Sequence, residues 1–159
     1  MHEHGTNKPQ LYSLEIDPLV ASIAMNLISL AGLADVVQVI VGSSAHTLQR
    51  LHDQGALVRT GIDLLLLDHS EELYAPDVKL CEKLDFLRSG ALIVADNVAR
   101  PGAPAYRNYM RTNPRVSKSW SLPALIVPGD LEVSLLPLFL SLSLSLSLCV
   151  CVFIPLTTC

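Results

Sequence analysis

Between residues 11 and 132 the apolar positions fall into two alternating kinds of stretch, short continuous runs and longer segments with helical spacing. "LYSLE" (11–15), "VVQVIV" (36–41), "IDLLLL" (62–67) and "ALIVAD" (91–96) are compact and rich in branched residues, which predicts strands. Four consecutive leucines, 64–67, read as a strand covered on both faces, as in parallel sheets. Between the strands, "IDPLVASIAMNLISLAGL" predicts a helix, with Asp17 as N-cap, Pro18 in the first turn and Gly32 just past the end. "GSSAHTLQRLHDQG" predicts a second, capped by Ser43 or Ser44 and stopped by Gly55. "PDVKLCEKLDFLRSG" spaces Val78, Leu80, Cys81, Leu84 and Leu87 helically and predicts a third, ending at Gly90. "PAYRNYMRT" predicts a short fourth. Strands alternating with helices across short loops imply an α/β fold with a parallel, doubly wound sheet.

Three of these strands end in an acid: Glu15, Asp68 and Asp96. Right-handed crossovers bring the carboxyl ends of parallel strands to one edge, where open α/β sheets bind ligands. The three acids, with Asn97, are therefore expected on one rim. Asp68 taken alone reads equally as a cap for the helix that follows. Asp68, Asp96 and Asn97 offer hard oxygen donors of the kind Mg²⁺ takes while keeping several waters. Glu15 is placed to accept hydrogen bonds from the ribose hydroxyls of a nucleotide-like cofactor. His69 reads as a general base, a metal ligand or a packed ring, with a cofactor contact favoured over a magnesium ligand.

Composition divides the chain. All charged residues, 11 basic and 15 acidic, lie in residues 1–132, and 133–159 carries none. A net charge of -4 without any Lys/Arg cluster argues against a nucleic-acid surface. Cys81 is the one cysteine outside the uncharged tail, and no pair has metal-ligand spacing, which suits a reduced, cytoplasmic protein. The polar start, residues 1–10, has no apolar core of a secretory signal and reads as disordered, although His2 and His4 form a possible metal pair. The tail contains "LSLSLSLSLCVCVFIPL"; Leu135 to Leu156, 22 residues without a charge, is about the length of a membrane span, and the alternation also suits a period-2 strand. Alternating Leu-Ser followed by Cys-Val-Cys-Val also matches the translation of adjoining CT and GT dinucleotide repeats. On that reading, residues 133–159 are a low-complexity segment foreign to the fold of 11–132.

"LDHSEELYAPD" together with "LIVADNVARPGAP" resembles the catechol O-methyltransferase family, in its fungal form. The likeness extends to "LYSLEIDP", "AGLADVVQVIVGSS" and "GDLE", covering about residues 11–132 in order. It implies a class I S-adenosylmethionine-dependent methyltransferase fold, a Rossmann-like doubly wound sheet that is incomplete here. By resemblance Glu15 binds the ribose of S-adenosylmethionine, and Gly42, Ser43, Ser44 and His69 lie against its adenine. Asp68, Asp96 and Asn97 hold Mg²⁺; Asn97, Pro101 and Glu132 contact a catechol substrate, Glu132 by hydrogen-bonding a hydroxyl. The implied reaction is methylation of one catechol oxygen, both oxygens being held by the metal. Partners are then a small-molecule catechol, not nucleic acid or a membrane.

The chain departs from the family's pattern in three places. Ser70 and Glu71 stand where animal members carry a tryptophan and the general-base lysine, so Glu71 or His69 would have to accept the proton. No strand and glycine-rich loop precede Leu11; in the family's strand order that strand is central, which predicts a gap between the 11–15 and 62–67 strands. The uncharged tail stands where the family has its last two antiparallel strands. These departures leave two other readings beside the enzyme: a non-catalytic relative that binds without reacting, and a tail-anchored membrane protein.

Overall fold

The computed structural model of the chain describes residues 10–57, 61–123, 128–137 and 149–153. His2, His4, the rest of the polar start before Gln10 and most of the Leu-Ser tail lie outside them. In chain order the elements are β1 (Gln10–Glu15), α1 (Pro18–Leu30), β2 (Val37–Val41), α2 (Ser44–Asp53), β3 (Ile62–Leu67), α3 (Tyr74–Lys83), β4 (Leu87–Ala95), α4 (Pro104–Thr112), β5 (Lys118–Pro123), β6 (Pro128–Leu135) and β7 (Cys149–Phe153). A 3-10 turn, Glu71–Leu73, leads into α3, and a wide turn, Val98–Gly102, leads into α4.

All seven strands form one sheet in the order β2-β1-β7-β3-β4-β6-β5. β1, β2, β3, β4 and β7 run parallel, whereas β6 is antiparallel to both β4 and β5. The step from β1 to β2 and the step from β2 to β3 go opposite ways across the sheet, so right-handed crossovers put α1 on one face and α2 on the other. α3 packs against α2 and α4 against α3, which completes the layer on the second face. The core lies under that layer: Leu14, Leu65, Leu67, Ile93 and Ala95 of the sheet meet Leu48, Val78, Cys81, Tyr106 and Met110 of the helices. Among the described residues, α1 is the one helix on the opposite face. Leu19, Leu27 and Leu30 of α1 and Leu92 of β4 are exposed there or along its flank, and Leu64 and Leu66 are half-buried.

Local chemistry accounts for the helices. Asp17 caps α1 by accepting from the amides of Leu19 and Val20, and Gly32, at φ 71°, reverses the chain after it. α3 ends earlier than its spacing predicts. It stops at Lys83, Asp85 turns the chain at φ 57°, and Leu87 already belongs to β4. Leu84 and Leu87 continue the helical rhythm by coincidence, since both are buried by either structure; Gly90 lies within β4, beside a register shift opposite Asp63.

The centre of the sheet overturns a second expectation. No gap separates β1 from β3: β7 lies between them, pairing Leu11 with Val150 on one side and Leu66 with Val152 on the other. The last two antiparallel strands are also present, as β5 and β6, so the tail does not replace them. β6 continues through Leu135, and the boundary expected after Glu132 therefore falls inside a strand. Among the described residues no helix is long and apolar enough to cross a membrane.

Candidate active site

The strand register brings the sequence-singled acids to one edge. Leu67 of β3 pairs with Ala95 of β4, and the amide of Asp96 donates to the carbonyl oxygen of Leu67 at 2.9 Å. Asp68 and Asp96 thus leave neighbouring parallel strands at the same level, about 5 Å apart in backbone. Leu14 of β1 and Leu67 of β3 are both level with Phe153 of β7. Glu15 therefore sits at the same rim, two strand spacings or about 10 Å from Asp68. β2 ends beside Glu15, and the Gly42 amide donates to the Glu15 carbonyl oxygen at 2.9 Å.

The acids are crowded and uncompensated. Burial pushes the Asp68 carboxyl above its usual value, the charges of Asp96 and Glu71 push it further, and His69 pulls back. No lysine or arginine is among the charges acting on it. Two carboxylates held together without a cation suit a bound cation, and the nearby Asn97 amide would add an oxygen donor. One Asp96 oxygen accepts from the Asn97 amide at 2.8 Å, with Asn97 in the left-handed region at φ 55°. Among the described residues no group of three or more His, Cys, Asp or Glu side chains could hold a metal ion, so the donor set stays at two carboxylates and an amide.

His69 is fixed by a residue that its neighbours in sequence do not reveal. Its Nε2 lies 2.8 Å from a carboxylate oxygen of Asp77, on α3, and both side chains are nearly buried. A carboxylate only accepts, so Nε2 carries a proton and Nδ1 is the nitrogen left to accept in a neutral ring. The imidazole also packs 5.0 Å from the Tyr74 ring, and Tyr74 in turn meets Tyr106 edge-on at 5.7 Å.

On the other side of the rim, Glu15 is 5% exposed and accepts from the Asp17 amide at 2.8 Å. Gly42 follows β2 at φ 145°, where a Cβ would come within 2.9 Å of Thr47 Oγ1. Ser43 holds the N-cap position of α2 without a side-chain capping bond, and Ser44, buried, opens the helix. Pro101 is exposed in the turn that follows Asn97.

Glu132 is near in backbone and engaged in side chain. It pairs with Ala95 across β4 and β6, yet its carboxylate is fully buried. Arg111 donates to both oxygens at 2.9 Å, Ser119 to one at 2.8 Å and Ser121 to the other at 2.9 Å; Arg107 stands 3.5 Å away. Burial pushes this carboxyl up, but the hydrogen bonds from Arg111, Ser119 and Ser121 together outweigh it and hold the group below its usual range. The structure therefore gathers Asp68, His69, Glu71, Asp96 and Asn97 at one place, with Glu15, Gly42, Ser43 and Ser44 along the same edge, and leaves the Glu132 carboxylate saturated. Sequence reasoning missed Asp77 and Tyr74. Both belong to "EELYAPD", where helical spacing alone does not distinguish a site residue from a core one.

Known proteins resemble this chain in sequence and in fold. A family profile described as a methyltransferase domain matches residues 1–98. Catechol O-methyltransferase B of Danio rerio is 40% identical over 110 residues, which is 69% of this chain and 40% of that protein. Catechol O-methyltransferase of Bos taurus is 36% identical over 106 residues, 67% of this chain and 38% of the relative. The chain thus spans about two fifths of the length of these relatives. An O-methyltransferase from Bacillus cereus, solved in complex with SAH, superposes with a TM-score of 0.68 over 80% of this chain and 62% of its own, at 20% identity. The fold is that of class I S-adenosylmethionine-dependent O-methyltransferases, a Rossmann-like sheet in partial form.

Proposed function

Because the chain belongs to the catechol O-methyltransferase-like family of methyltransferase domains, we propose that it serves Mg²⁺-dependent transfer of a methyl group from S-adenosylmethionine to a catechol oxygen. The observation that carries this reading is the pairing of Asp68 and Asp96 at adjacent strand ends, with no lysine or arginine among the charges on Asp68. Asp68, Asp96 and Asn97 would hold the cation. When bound, Mg²⁺ supplies Lewis acidity that lowers the pKa of a coordinated hydroxyl.

The remaining work falls to the chain's own residues. Glu15, desolvated and anchored by the Asp17 amide, accepts from ribose hydroxyls of the cofactor. Gly42, Ser43 and Ser44 border the adenine at the start of α2, the missing Cβ of Gly42 letting the backbone come close. His69, oriented by Asp77, offers Nδ1 as a hydrogen-bond acceptor toward the cofactor or as a proton acceptor. Glu71 is the other candidate base, although its charge adds to those already on Asp68. Pro101 borders the substrate ring. Glu132, whose oxygens are taken by Arg111, Ser119 and Ser121, acts by fixing α4 to the sheet rather than by touching a catechol hydroxyl. Catalysis would then come mainly from holding the attacking oxygen in line with the methyl carbon and the departing sulfonium sulfur.

A second reading, binding without turnover, is favoured by one feature. Glu71, which stands where the proton would be taken, is itself a carboxylate whose charge adds to those on Asp68. Calorimetric titration of the full chain with S-adenosylmethionine, beside a radiolabelled methyl-transfer assay on catechol with Mg²⁺ or with a chelator, tests both. Turnover that needs Mg²⁺ and disappears in Asp96→Ala supports the enzyme; binding without turnover supports the second reading. Absence of binding overturns both.

A further inference from the structure

We propose that Tyr74 is a positioning residue of the cation site, its hydroxyl donating a hydrogen bond to an oxygen bound to the cation between Asp68 and Asp96. This rests on the metal reading given above. Tyr74 opens α3 directly after the Glu71–Leu73 turn, and its side chain is 0% exposed. Its ring is held in place by two others, His69 at 5.0 Å and Tyr106 at 5.7 Å, so the hydroxyl has little freedom to seek a partner. It has none among the described residues. Buried hydroxyls are nearly always satisfied, and those without a partner here, Tyr74 and Tyr106 among them, are places where an atom from outside the chain can belong. Burial acts most strongly on this phenol, followed by the charges of Asp68, Glu71 and Asp96 and last by Tyr106, so the hydroxyl lies within the field of the rim acids. A hydroxyl beside carboxylates that grip a cation can donate to a water or substrate oxygen on that cation, which fixes the oxygen's direction and leaves the metal's own bonds untouched.

The fold supplies an internal control. Tyr106 is buried to the same degree and its hydroxyl is likewise without a settled partner, but the charge acting on it is that of Glu132, not those of Asp68 or Asp96. A buried phenol that matters only for packing should behave alike at both positions.

The test is a titration of the full-length chain with Mn²⁺, following free Mn²⁺ by its paramagnetic resonance, for the unaltered protein, Tyr74→Phe and Tyr106→Phe. Tyr74→Phe is expected to weaken Mn²⁺ about tenfold, the effect of losing one hydrogen bond to a charged centre. Tyr106→Phe should bind as the unaltered chain does. The thermal midpoint without cation should not fall in Tyr74→Phe, because the bond removed exists only when the cation is present. Equal Mn²⁺ affinity in the unaltered chain and Tyr74→Phe would overturn the proposal while leaving the metal site standing. An equal loss in Tyr106→Phe, or a lower cation-free midpoint in Tyr74→Phe, would overturn it too, by showing a general packing effect or a partner inside the protein. No Mn²⁺ binding by the unaltered chain would remove the metal reading itself and this inference with it.

Discussion

At the scale of single residues, the acids of this chain divide into two chemically opposite sets. Asp68 has its carboxyl raised by burial and by the charges of Asp96 and Glu71, whereas Glu132 is held low by Arg111 and two serines. The signs differ in their consequences for stability. A raised carboxyl binds its proton more tightly in the folded chain than in the unfolded one, so ionising it costs stability as pH rises from about 3.8, its ordinary value. Asp68→Asn is therefore expected to raise the cation-free thermal midpoint at pH 7, with the two midpoints converging below about pH 4; a calorimetric scan against pH checks this. Glu132 stabilises above its ordinary value of 4.5 and loses that contribution as acid protonates it. Because Glu132 is fully buried while Arg111 is 45% exposed in its side chain, removing the arginine strands a charge and removing the carboxylate does not. Arg111→Ala should cost about 2 to 3 kcal/mol, less than the full penalty for an orphaned buried ion because Ser119, Ser121 and Arg107 remain. Glu132→Gln should cost less, and chemical denaturation of the two variants would rank them. The rim acids were legible in the sequence because each ends an apolar run. The partners were not: nothing local in "LDHSEELYAPD" says that Asp77 closes on His69 or that Tyr74 turns its hydroxyl inward, since both depend on how the 71–73 turn delivers α3 to the rim.

At the scale of elements, what the sequence disclosed and what it hid follow one division. Elements stabilised by near neighbours were readable, as with α1, whose Asp17 cap and Gly32 reversal act within a few residues. The start of β4 was not. Leu87 is buried as the first residue of β4, yet it also falls on the helical spacing of α3, and only the left-handed turn at Asp85 decides between the two. The β2–α2 junction carries the clearest local constraint of the site. Gly42 stands at φ 145°, and an added Cβ would press on the Thr47 side chain at 2.9 Å. Gly42→Ala should destabilise the chain by about 1 to 3 kcal/mol and shift the first turn of α2, where the cofactor's adenine is proposed to lie. Pairing it with Thr47→Ala separates the causes. Whatever the double variant recovers in a urea melt is the contact with Thr47, and whatever persists is backbone strain.

At the scale of the whole molecule, the sheet is two halves joined through the last strand to be made. β2-β1 lies on one side, β3-β4-β6-β5 on the other, and β7 bridges them with main-chain bonds to both. No local pattern could disclose this. "CVCVF" fits an isolated strand, a membrane segment or a repeat, and its place depends on a pairing with residues more than eighty positions earlier in the chain, between two runs that would otherwise face unpaired backbone. The segment that composition sets apart is thus the one that closes the fold and keeps Glu15 and Asp68 two strand spacings apart on one rim. Proline at β7 removes a ladder donor in an interior strand and fixes φ away from strand values, a loss of about 3 kcal/mol or more. Against a total stability of about 5 to 15 kcal/mol, that loss is large. Val150→Pro and Val152→Pro are each expected to abolish a single cooperative urea transition and, with it, any binding of S-adenosylmethionine. If either variant instead unfolds in one transition at the unaltered midpoint, the two halves hold together without β7, and the rim geometry proposed for cofactor and metal does not depend on the tail.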